Sequence, residues 1–494
     1  MDAVEALQLV NRLYSRLEGR RPFITRAEEY HAGKQPLAFA TEEWRKANAD
    51  RYAGFADNWC RPVVDAENER IRHTGIKIGD DKRASSLLWD QWLFNDMEAQ
   101  SSQGFVATLA TGRSFVMVWG DDDDQPLNSW EHPANVEVEY DWGNRRKRVA
   151  ALKTWADDKF EFANLYTPEH VWKFQRDRTG SVSILESQVV QGRVIVGGDG
   201  GWVAREVRNE VWPLRNPLGE VPIVEVPNRP MLAGDPISEI AGVMPMQDAI
   251  NLLWAYMFLA ADYASMDARV ILGQEPPKIP ILDENGQRIG EKVVDMKDLQ
   301  EKRFLWLTGE HAKIDSFPAA KLDQFAEIIS LAVGHVASQT RTPPTQLVSV
   351  NGMSNVNGEG LKASEIGLVK KTLEFQTFAT PAMREVHRLN ALAMGDSALA
   401  QQVRRASMVW ANPEIRSESQ LADSLVKKRS IGYPFEYVME LDGLSPEDIE
   451  RVLDMREREL ADMQVEAALR GLDDPADEPG SVSEPAADNG ADGD

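Results

Sequence analysis

Cysteine is nearly absent from this sequence, since Cys60 is the only one among 494 residues. A single thiol excludes an internal disulfide framework and any zinc site built from several cysteines. Buried structural packing is the expected role of Cys60. Long hydrophobic runs are missing too, because the longest, 249–261, has 13 residues, whereas a membrane-spanning helix needs about 20. The acidic first residues lack the apolar stretch of a signal peptide. We therefore expect a soluble protein of a reducing compartment, with no membrane partner.

Basic residues are scarce relative to acidic ones. The chain has 55 Lys and Arg against 79 Asp and Glu, a net charge of −24 and a pI near 4.8. Because tight DNA binding needs clustered cations that neutralise phosphates, this balance argues against a basic DNA-gripping groove. Residues 473–494 contain six Asp, two Glu and no basic residue, which predicts a disordered acidic tail.

Motifs for catalysis are also missing. The sequence has no phosphate-binding P-loop, no His-Glu-x-x-His and no Gly-x-Ser-x-Gly, and its seven histidines are scattered singly. Asp121–Asp124 is the best candidate metal site, because hard cations prefer carboxylate oxygens. Four consecutive carboxylates cannot all converge on one ion, which favours a solvated turn. The pairs Lys370–Lys371 and Arg404–Arg405 are typical of solvated helix faces. We expect no catalytic residue, no metal and no cofactor.

The chain length predicts two to four domains, and its periodicity predicts an α+β fold. Apolar residues between positions 4 and 17 recur every three or four residues, as in an amphipathic helix. From Phe115 to about Pro227 the period is two, with turn residues between short runs, which predicts an antiparallel β meander.

Helical patterns return after Asp235. Residues 246–270 are apolar nearly all round, with one narrow polar stripe that includes Asp248 and Asn251. Twenty-five residues make a helix of about 37 Å, which must either thread a large core or pack against copies of itself. A compact insertion, 276–318, follows with a hairpin signal at Asn285–Gly286.

A second amphipathic helix over 322–340 closes that insertion. Residues 342–360 then form a loop-like stretch whose only charge is Glu359, and long loops inside compact proteins tend to be functional or disordered. A third long helix is predicted over 361–394, and the capping box 445–448 starts a last one.

Short motifs follow one another in order from about residue 25 to 465. They are Tyr30-x-x-Gly33-x-x-Pro36, Asn58-Trp59, Val63-Val64-Asp65, Asn216-Pro-Leu-Gly-Glu-Val-Pro-Ile-Val224, Asn228, Gln247-Asp-x-x-Asn251, Pro413-Glu414, Ser417, Gln420-x-x-Asp423, Gly432-x-Pro434 and Gly443-x-Ser-Pro446. Together with the order of elements, they resemble the portal proteins of tailed double-stranded-DNA bacteriophages, in the siphovirus-type family.

The resemblance implies a portal fold with an α/β wing, long stem helices, a small mixed α/β clip and a helical crown. It implies a ring of twelve copies at one capsid vertex, through which the terminase packages DNA and from which DNA is later ejected. The implied partners are the terminase large subunit, head–tail adaptor proteins, scaffold and major capsid protein, and double-stranded DNA held loosely. The implied location is the virion, and the host cytoplasm during assembly.

The resemblance also implies a division of the chain. The segments are the wing (1–235), a first stem helix (236–275), the clip (276–318), a second stem helix (319–341), a tunnel loop (342–360), a long helix from wing to channel (361–398), the crown (399–472) and the tail (473–494). The DNA-facing loop residues would be Val348, Val350, Asn351, Met353, Ser354, Asn355 and Asn357. The interface between stems would use Asn251, Trp254, Phe258, Phe325, Ile329 and Val333. The clip residues facing terminase and adaptors would be Asp283, Glu284, Asn285 and Arg288.

Two other functions remain open from the residues alone. One is a metal-dependent, phage-associated nuclease that uses Asp121–Asp124. The other is a different structural component of the virion, such as a head-completion or minor capsid protein.

Overall fold

The structure is a computed structural model that describes residues 1–35, 42, 55–120, 125–178, 188–190, 193–195, 201–265, 269–272, 278–283, 286–293, 313–316, 321–347, 358–414, 418–444 and 446–472. The helices are α1 (Ala3–Ala32), α2 (Cys60–Asn68), α3 (Lys82–Phe94), α4 (Met97–Thr111), α5 (Met244–Ser265), α6 (Leu322–Thr340), α7 (Pro344–Leu347), α8 (Gly358–Ala393), α9 (Ser397–Val403), α10 (Glu418–Ser430), α11 (Phe435–Asp442) and α12 (Pro446–Leu472).

The strands are β1 (His73–Lys77), β2 (Arg113–Gly120), β3 (Pro126–Glu131), β4 (Val136–Tyr140), β5 (Arg148–Ala156), β6 (Phe160–Tyr166), β7 (His170–Asp177), β8 (Gln188–Val190), β9 (Arg193–Ile195), β10 (Val203–Ala204), β11 (Leu214–Arg215), β12 (Ile223–Pro227), β13 (Arg269–Leu272), β14 (Lys278–Leu282), β15 (Arg288–Val293), β16 (Lys313–Ser316) and β17 (Ser407–Trp410). Helix and sheet both contribute substantially, which confirms a mixed fold.

Helix α1 begins where a capping box satisfies its first amides. The Asp2 carboxylate accepts hydrogen bonds from the backbone N–H groups of Val4 and Glu5, and the Glu5 side chain accepts one from Asp2 N–H. The helix ends at Gly33, whose φ of +73° is the left-handed conformation that favours glycine. Its buried face follows the predicted period and includes Leu7, Val10, Leu13 and Leu17.

The buried face of α1 packs on a six-stranded antiparallel sheet. Strands β4 to β7 form a meander, β10 pairs with one end of it, and β11 also pairs with β7. Leu152 and Leu165 from the sheet join Val10 and Leu13 in one core. This part of the predicted meander is confirmed. The prediction that the same meander begins at Phe115 is wrong, because β2, which contains Phe115, lies in a separate three-stranded sheet between β3 and β12. Strand β12 returns late in the chain to pair Val224 with Val116.

The helix predicted over 246–270 is wrong at its C-terminal end. Helix α5 stops at Ser265, and Arg269–Leu272 is a strand that pairs antiparallel with Lys313–Ser316. The run Val270-Ile271 is β-branched and suits a strand, and the partner that stabilises it lies on the far side of the insertion. The hairpin predicted at Asn285–Gly286 is confirmed, since β14 pairs with β15 and Gly286 has φ +81°.

The chain divides into two compact units. The first comprises Met1–Arg72 and Gln91–Arg405, and the second comprises His73–Asp90 with the residues from Ala406 on. In the second unit, β1 pairs with β17, and His73 Nδ1 lies 3.0 Å from the carbonyl of Val409. This pairing associates 73–90 with the C-terminal helices, whereas the division drawn from the sequence placed that segment among residues 1–235.

Several predicted features fall outside the described residues. They are Asp121–Asp124 and the tail 473–494. Across the ranges that the structure covers, no helix is both long and apolar enough to cross a membrane.

Candidate functional site

Helix α5 buries polar side chains and leaves apolar side chains partly exposed, which is the reverse of an ordinary surface helix. The N-terminal part of its polar stripe is buried, because Gln247, Asp248 and Asn251 are only 1%, 2% and 1% exposed. Outside this stripe Tyr256 is exposed in this chain, and four further apolar side chains are half-buried, namely Leu252, Leu253, Met257 and Leu259. A helix of this kind is held to its own chain by hydrogen bonds and presents apolar surface outward.

The first bond of the buried stripe joins α5 to α1. The Tyr30 hydroxyl donates to Asp248 Oδ1 over 2.5 Å, and both side chains are buried. Burial raises the pKa of Asp248, and the bond from Tyr30 opposes that rise. Burial, with a smaller contribution from the charge of Asp248, raises the pKa of Cys60 to about 12. Cys60 is therefore an inert, buried thiol, as expected from the sequence.

The remaining bonds join α5 to the segment that precedes α2. Trp59 N–H donates to Gln247 Oε1 over 2.7 Å, and Asp57 N–H donates to Asn251 Oδ1 over 3.1 Å. The Asp57 carboxylate in turn accepts from the indole N–H of Trp254 over 2.7 Å. Together with Tyr30 and Asp248, these side chains form a set that we call the polar anchor: Tyr30, Asp57, Trp59, Gln247, Asp248 and Asn251.

The polar anchor unites motifs that are far apart in the sequence. Tyr30 belongs to the first motif, Trp59 to the second, and Gln247 to the one that opens α5. The first two motifs also touch directly, because Asn58 Nδ2 donates to the carbonyl of His31 over 2.9 Å. A Cβ at Gly33 would lie 3.2 Å from Asn58 Nδ2, so a larger residue would crowd this contact. Asp57 was missed by sequence reasoning, and its only signal is its place before Asn58-Trp59.

The residues predicted at the stem interface fall into two groups by their burial within the single chain. Asn251, Ile329 and Val333 are buried within the chain. Trp254, Phe258 and Phe325 are half-buried. Phe55 packs edge-on against both α5 aromatics, with ring centroids 6.0 Å from Trp254 and 5.1 Å from Phe258.

Other apolar residues of the two helices reach the surface instead. Ile328 and Leu331 on α6 are exposed, Leu331 by 61%. They lie off the periodic face that contains Ile329 and Val333, which packs inside the chain. Their signal in the sequence is their position as apolar residues outside an otherwise complete amphipathic pattern. We define the apolar ridge as the exposed Tyr256, Ile328 and Leu331 with the half-buried Leu252, Leu253, Met257 and Leu259.

The predicted clip residues that are described lie at the turn of the β14–β15 hairpin. Asp283 Oδ1 accepts from Gln287 N–H over 2.7 Å, and Arg288 forms an ion pair with Glu291. The hairpin exposes Ile279, Ile281, Leu282 and Ile289. Glu284 and Asn285 lie outside the described residues, as do Val348, Val350, Asn351, Met353, Ser354, Asn355 and Asn357 of the predicted tunnel loop.

A second buried polar cluster lies where α6 ends. Lys371 of α8 is 1% exposed, and its Nζ lies 2.9 Å from a carboxylate oxygen of Glu67 and 2.9 Å from one of Glu239. It also donates to the carbonyl of Thr340 over 3.1 Å, at the C-terminus of α6, where a cation is favoured. The solvated face predicted for Lys370–Lys371 is therefore wrong for Lys371, although Lys370 is exposed.

The two carboxylates of this Lys371 cluster respond differently to their surroundings. Burial raises the pKa of Glu67 to about 7, against the opposing charge of Lys371. Burial also acts to raise the pKa of Glu239, but Lys371 and Arg229 outweigh it and the pKa is lowered. Asn228 Nδ2 supports the Glu239 anion with a hydrogen bond of 2.9 Å. The cluster thus ties α2, the 228–239 segment, α6 and α8 together.

Neither cluster has the composition of a metal centre. Within the described ranges, no group of three or more His, Cys, Asp or Glu side chains is arranged to hold a metal ion.

Residues 11–459 match the family described as "Phage portal protein, SPP1 Gp6-like". The portal protein of Mycobacterium phage D29 is 25% identical over 379 residues, covering 74% of this chain and 71% of the relative. The portal protein of Mycobacterium phage L5 is 26% identical over 381 residues, with the same coverage. A chain from the virion of a native gene transfer agent particle is similar with a TM-score of 0.40 and 12% identity, covering 81% of this chain and 91% of that chain.

The resemblance seen in the sequence is confirmed by the family match, which spans most of the chain and agrees with both mycobacteriophage relatives. The match gives no support to the alternative of a nuclease at Asp121–Asp124.

Proposed function

Because the chain belongs to the phage portal protein family, SPP1 Gp6-like, we propose that it forms a closed ring around a channel for double-stranded DNA at one vertex of the capsid. The inverted polarity of α5 is the observation that supports this most directly. A closed ring repeats one heterologous interface between neighbours. The apolar ridge of one copy would pack against its neighbour, while the polar anchor holds the helix to its own chain.

The finer assignments belong to the same proposal. Twelve copies would surround the channel, with 1–235 as wing, α5 and α6 as stems, 276–318 as clip and 399–472 as crown. The exposed isoleucines Ile279 and Ile289 on the clip hairpin suit contact with the terminase during packaging and with head–tail adaptors afterwards. Scaffold and major capsid protein would contact the ring during assembly in the host cytoplasm, before the ring becomes part of the virion.

DNA would be held lightly in this channel. The predicted tunnel loop, 342–360, has Glu359 as its only charged residue. Each Lys or Arg on a phosphate adds a salt-dependent attraction, and a duplex that must slide would be slowed by such contacts. The ring itself is proposed to have no nuclease, hydrolase or ATPase activity, in keeping with a structural family.

Negative-stain electron microscopy of the purified full-length chain tests the ring. The expected image is a ring with a central channel, and a preparation that contains only monomers or irregular assemblies would contradict the proposal.

Deletion of Val350–Asn357 tests the assignment of the tunnel loop. Rings of the deletion variant should form normally but package or retain less DNA than wild type, and normal packaging by those rings would remove the loop assignment.

A further inference from the structure

The turn between β4 and β5 carries exposed groups that the proposed ring does not use. Trp142 at this turn is 97% exposed. Arg145, Arg146 and Lys147 follow it and are also exposed. Among the described residues, no ion pair involves any of these three cations. Three neighbouring cations without an ion pair are unusual on a chain with a net charge of −24. The exposed tryptophan beside them points to an interaction site, since exposed apolar groups that cluster commonly mark such sites.

Hydrogen bonds within the turn hold its backbone in one conformation. The Asp141 carboxylate accepts from Gly143 N–H over 2.7 Å, and Asn144 Oδ1 accepts from Arg146 N–H over 3.1 Å. Asp141 N–H also donates to the carbonyl of Lys147 over 2.9 Å, which closes the turn. The backbone of the turn is therefore fixed, and no entropy need be lost in ordering it when its side chains bind a partner.

A second loop lies against this turn. The Arg145 guanidinium donates to the carbonyl of Leu232, in a segment where Met231 and Leu232 are exposed, Leu232 by 89%. We call the combined surface the basic tip: Trp142, Arg145, Arg146, Lys147, Met231 and Leu232. It offers apolar area beside positive charge, which fits an acidic segment that also carries apolar or ring-shaped side chains.

We propose that the basic tip binds the acidic tail, residues 473–494, of a neighbouring copy of this chain. This inference rests on the proposed ring, which would hold several copies of the tip and of the tail in one assembly. The tail has a charge of −8 and no cation, so it complements the three cations of the tip. Its 22 residues could span up to about 70 Å if fully extended, so the contact need not lie next to residue 472.

The tail sequence also matches the aromatic part of the tip. Three acidic residues each precede a proline, in the pairs Asp474-Pro475, Glu478-Pro479 and Glu484-Pro485. Proline-containing segments dock on exposed aromatic side chains at low entropic cost. A residue before proline is restricted to extended conformations, so less entropy is lost when its carboxylate is fixed on a guanidinium. Charge and ring contacts would then act together on the same short segment.

The experiment uses the full chain with one added cysteine in the tail, Ala476→Cys, that carries a photoactivatable cross-linker. Cys60 stays unlabelled because it is buried and its pKa is raised to about 12. Chains with ¹⁴N and ¹⁵N are mixed before assembly, and mass spectrometry then distinguishes cross-links within one chain from those between copies. We expect cross-links between copies, from position 476 to 141–147 or 229–235.

Two charge-matched variants make the result specific. The tip variant is Arg145→Ser with Arg146→Ser and Lys147→Ser, and it should lose at least about fivefold in cross-link yield, since each exposed ion pair contributes up to about 1 kcal/mol. The control removes the same charge from the run 427–429, where Lys427 and Arg429 are exposed and Lys428 is half-buried. It carries Lys427→Ser, Lys428→Ser and Arg429→Ser and should keep the wild-type yield.

Several results would overturn the proposal. These are cross-links that persist in the tip variant, cross-links confined to one chain, and cross-links that map to 427–429. A labelled 20-base-pair duplex provides a further arm. If the duplex binds through the tip while the tail cross-links elsewhere, the tip serves nucleic acid instead. Negative-stain images of the same samples separate the two proposals, because intact rings without the cross-link refute only the tail contact.

Discussion

Lys371 and Glu67 form an ion pair of 2.9 Å in which neither side chain reaches solvent. Glu239 lies at the same distance on another side of the Lys371 ammonium group. Removing one partner of a buried pair leaves charge without compensation, which costs more than the pair itself contributes. The long helix α8 is therefore held against α2 and the end of α6 by a contact that tolerates little change.

Replacing the lysine should be costly. We expect Lys371→Met to lower the free energy of unfolding by about 3–5 kcal/mol, because buried Glu67 would lose its cation and lie beside Glu239, which keeps only Arg229 at 3.3 Å. Urea denaturation followed by circular dichroism measures this loss. The matched control is Lys370→Met, one residue away on the exposed side of α8, which should stay within about 0.5 kcal/mol of wild type. Equal effects of both changes would contradict the buried cluster.

The Glu67 carboxyl should also give stability a pH dependence. Burial raises its pKa from 4.5 to about 7, so the folded chain binds more protons than the unfolded chain between these values. The contribution of Glu67 to stability is therefore largest below about pH 4.5 and declines as pH rises towards 7. Glu67→Gln cannot ionise and escapes this decline. Its stability relative to wild type should increase by about 1–3 kcal/mol between pH 5 and pH 8.

Urea denaturation at several pH values measures this difference for Glu67→Gln. The exposed Glu206→Gln is the control and should follow the wild-type pH profile. A constant difference between Glu67→Gln and wild type from pH 5 to pH 8 would show that Glu67 does not titrate in this range.

The hydrogen bond between Tyr30 and Asp248 should also contribute to stability, through the polar anchor. We expect Tyr30→Phe to lower the free energy of unfolding by about 1.5–3 kcal/mol, because a buried carboxylate loses its donor. Adding Asp248→Asn should restore part of the loss, since the carboxylate charge is then gone. Thermal unfolding of the two variants measures both effects. Tyr437→Phe is the control, because Tyr437 is exposed and its stacking on Tyr433 needs only the ring.

Local patterns in the sequence predicted much of the fold. The buried face of α1 with Leu7, Val10 and Leu13 follows from helical periodicity, and the strands of the meander follow from alternation. Both are properties of a few neighbouring residues. The end of α5 was not predictable in this way, because Arg269–Leu272 becomes a strand only when Lys313–Ser316 returns beside it.

The candidate site was predicted less well, for the same reason. The polar stripe of α5 is evident in the sequence, but its direction depends on Tyr30 and Asp57, which come from other parts of the chain. Burial of Lys371 depends on Glu67 and Glu239 in the same way. Sequence periodicity indicates which residues share a face, and only tertiary partners decide whether that face points inward.

The last prediction concerns the apolar ridge. Leu331 is 61% exposed in the single chain, and burying a leucine side chain fully contributes about 1.5–3 kcal/mol. If neighbouring copies cover it, Leu331→Glu loses that contribution at every interface and buries a carboxylate without a partner, which costs still more. We expect Leu331→Glu to remain a folded monomer in size-exclusion chromatography with light scattering, with an unchanged circular dichroism spectrum. Gln339→Glu adds the same charge at an exposed polar position of the same helix and should still form rings. Rings of normal size from Leu331→Glu would show that α6 does not face a neighbour.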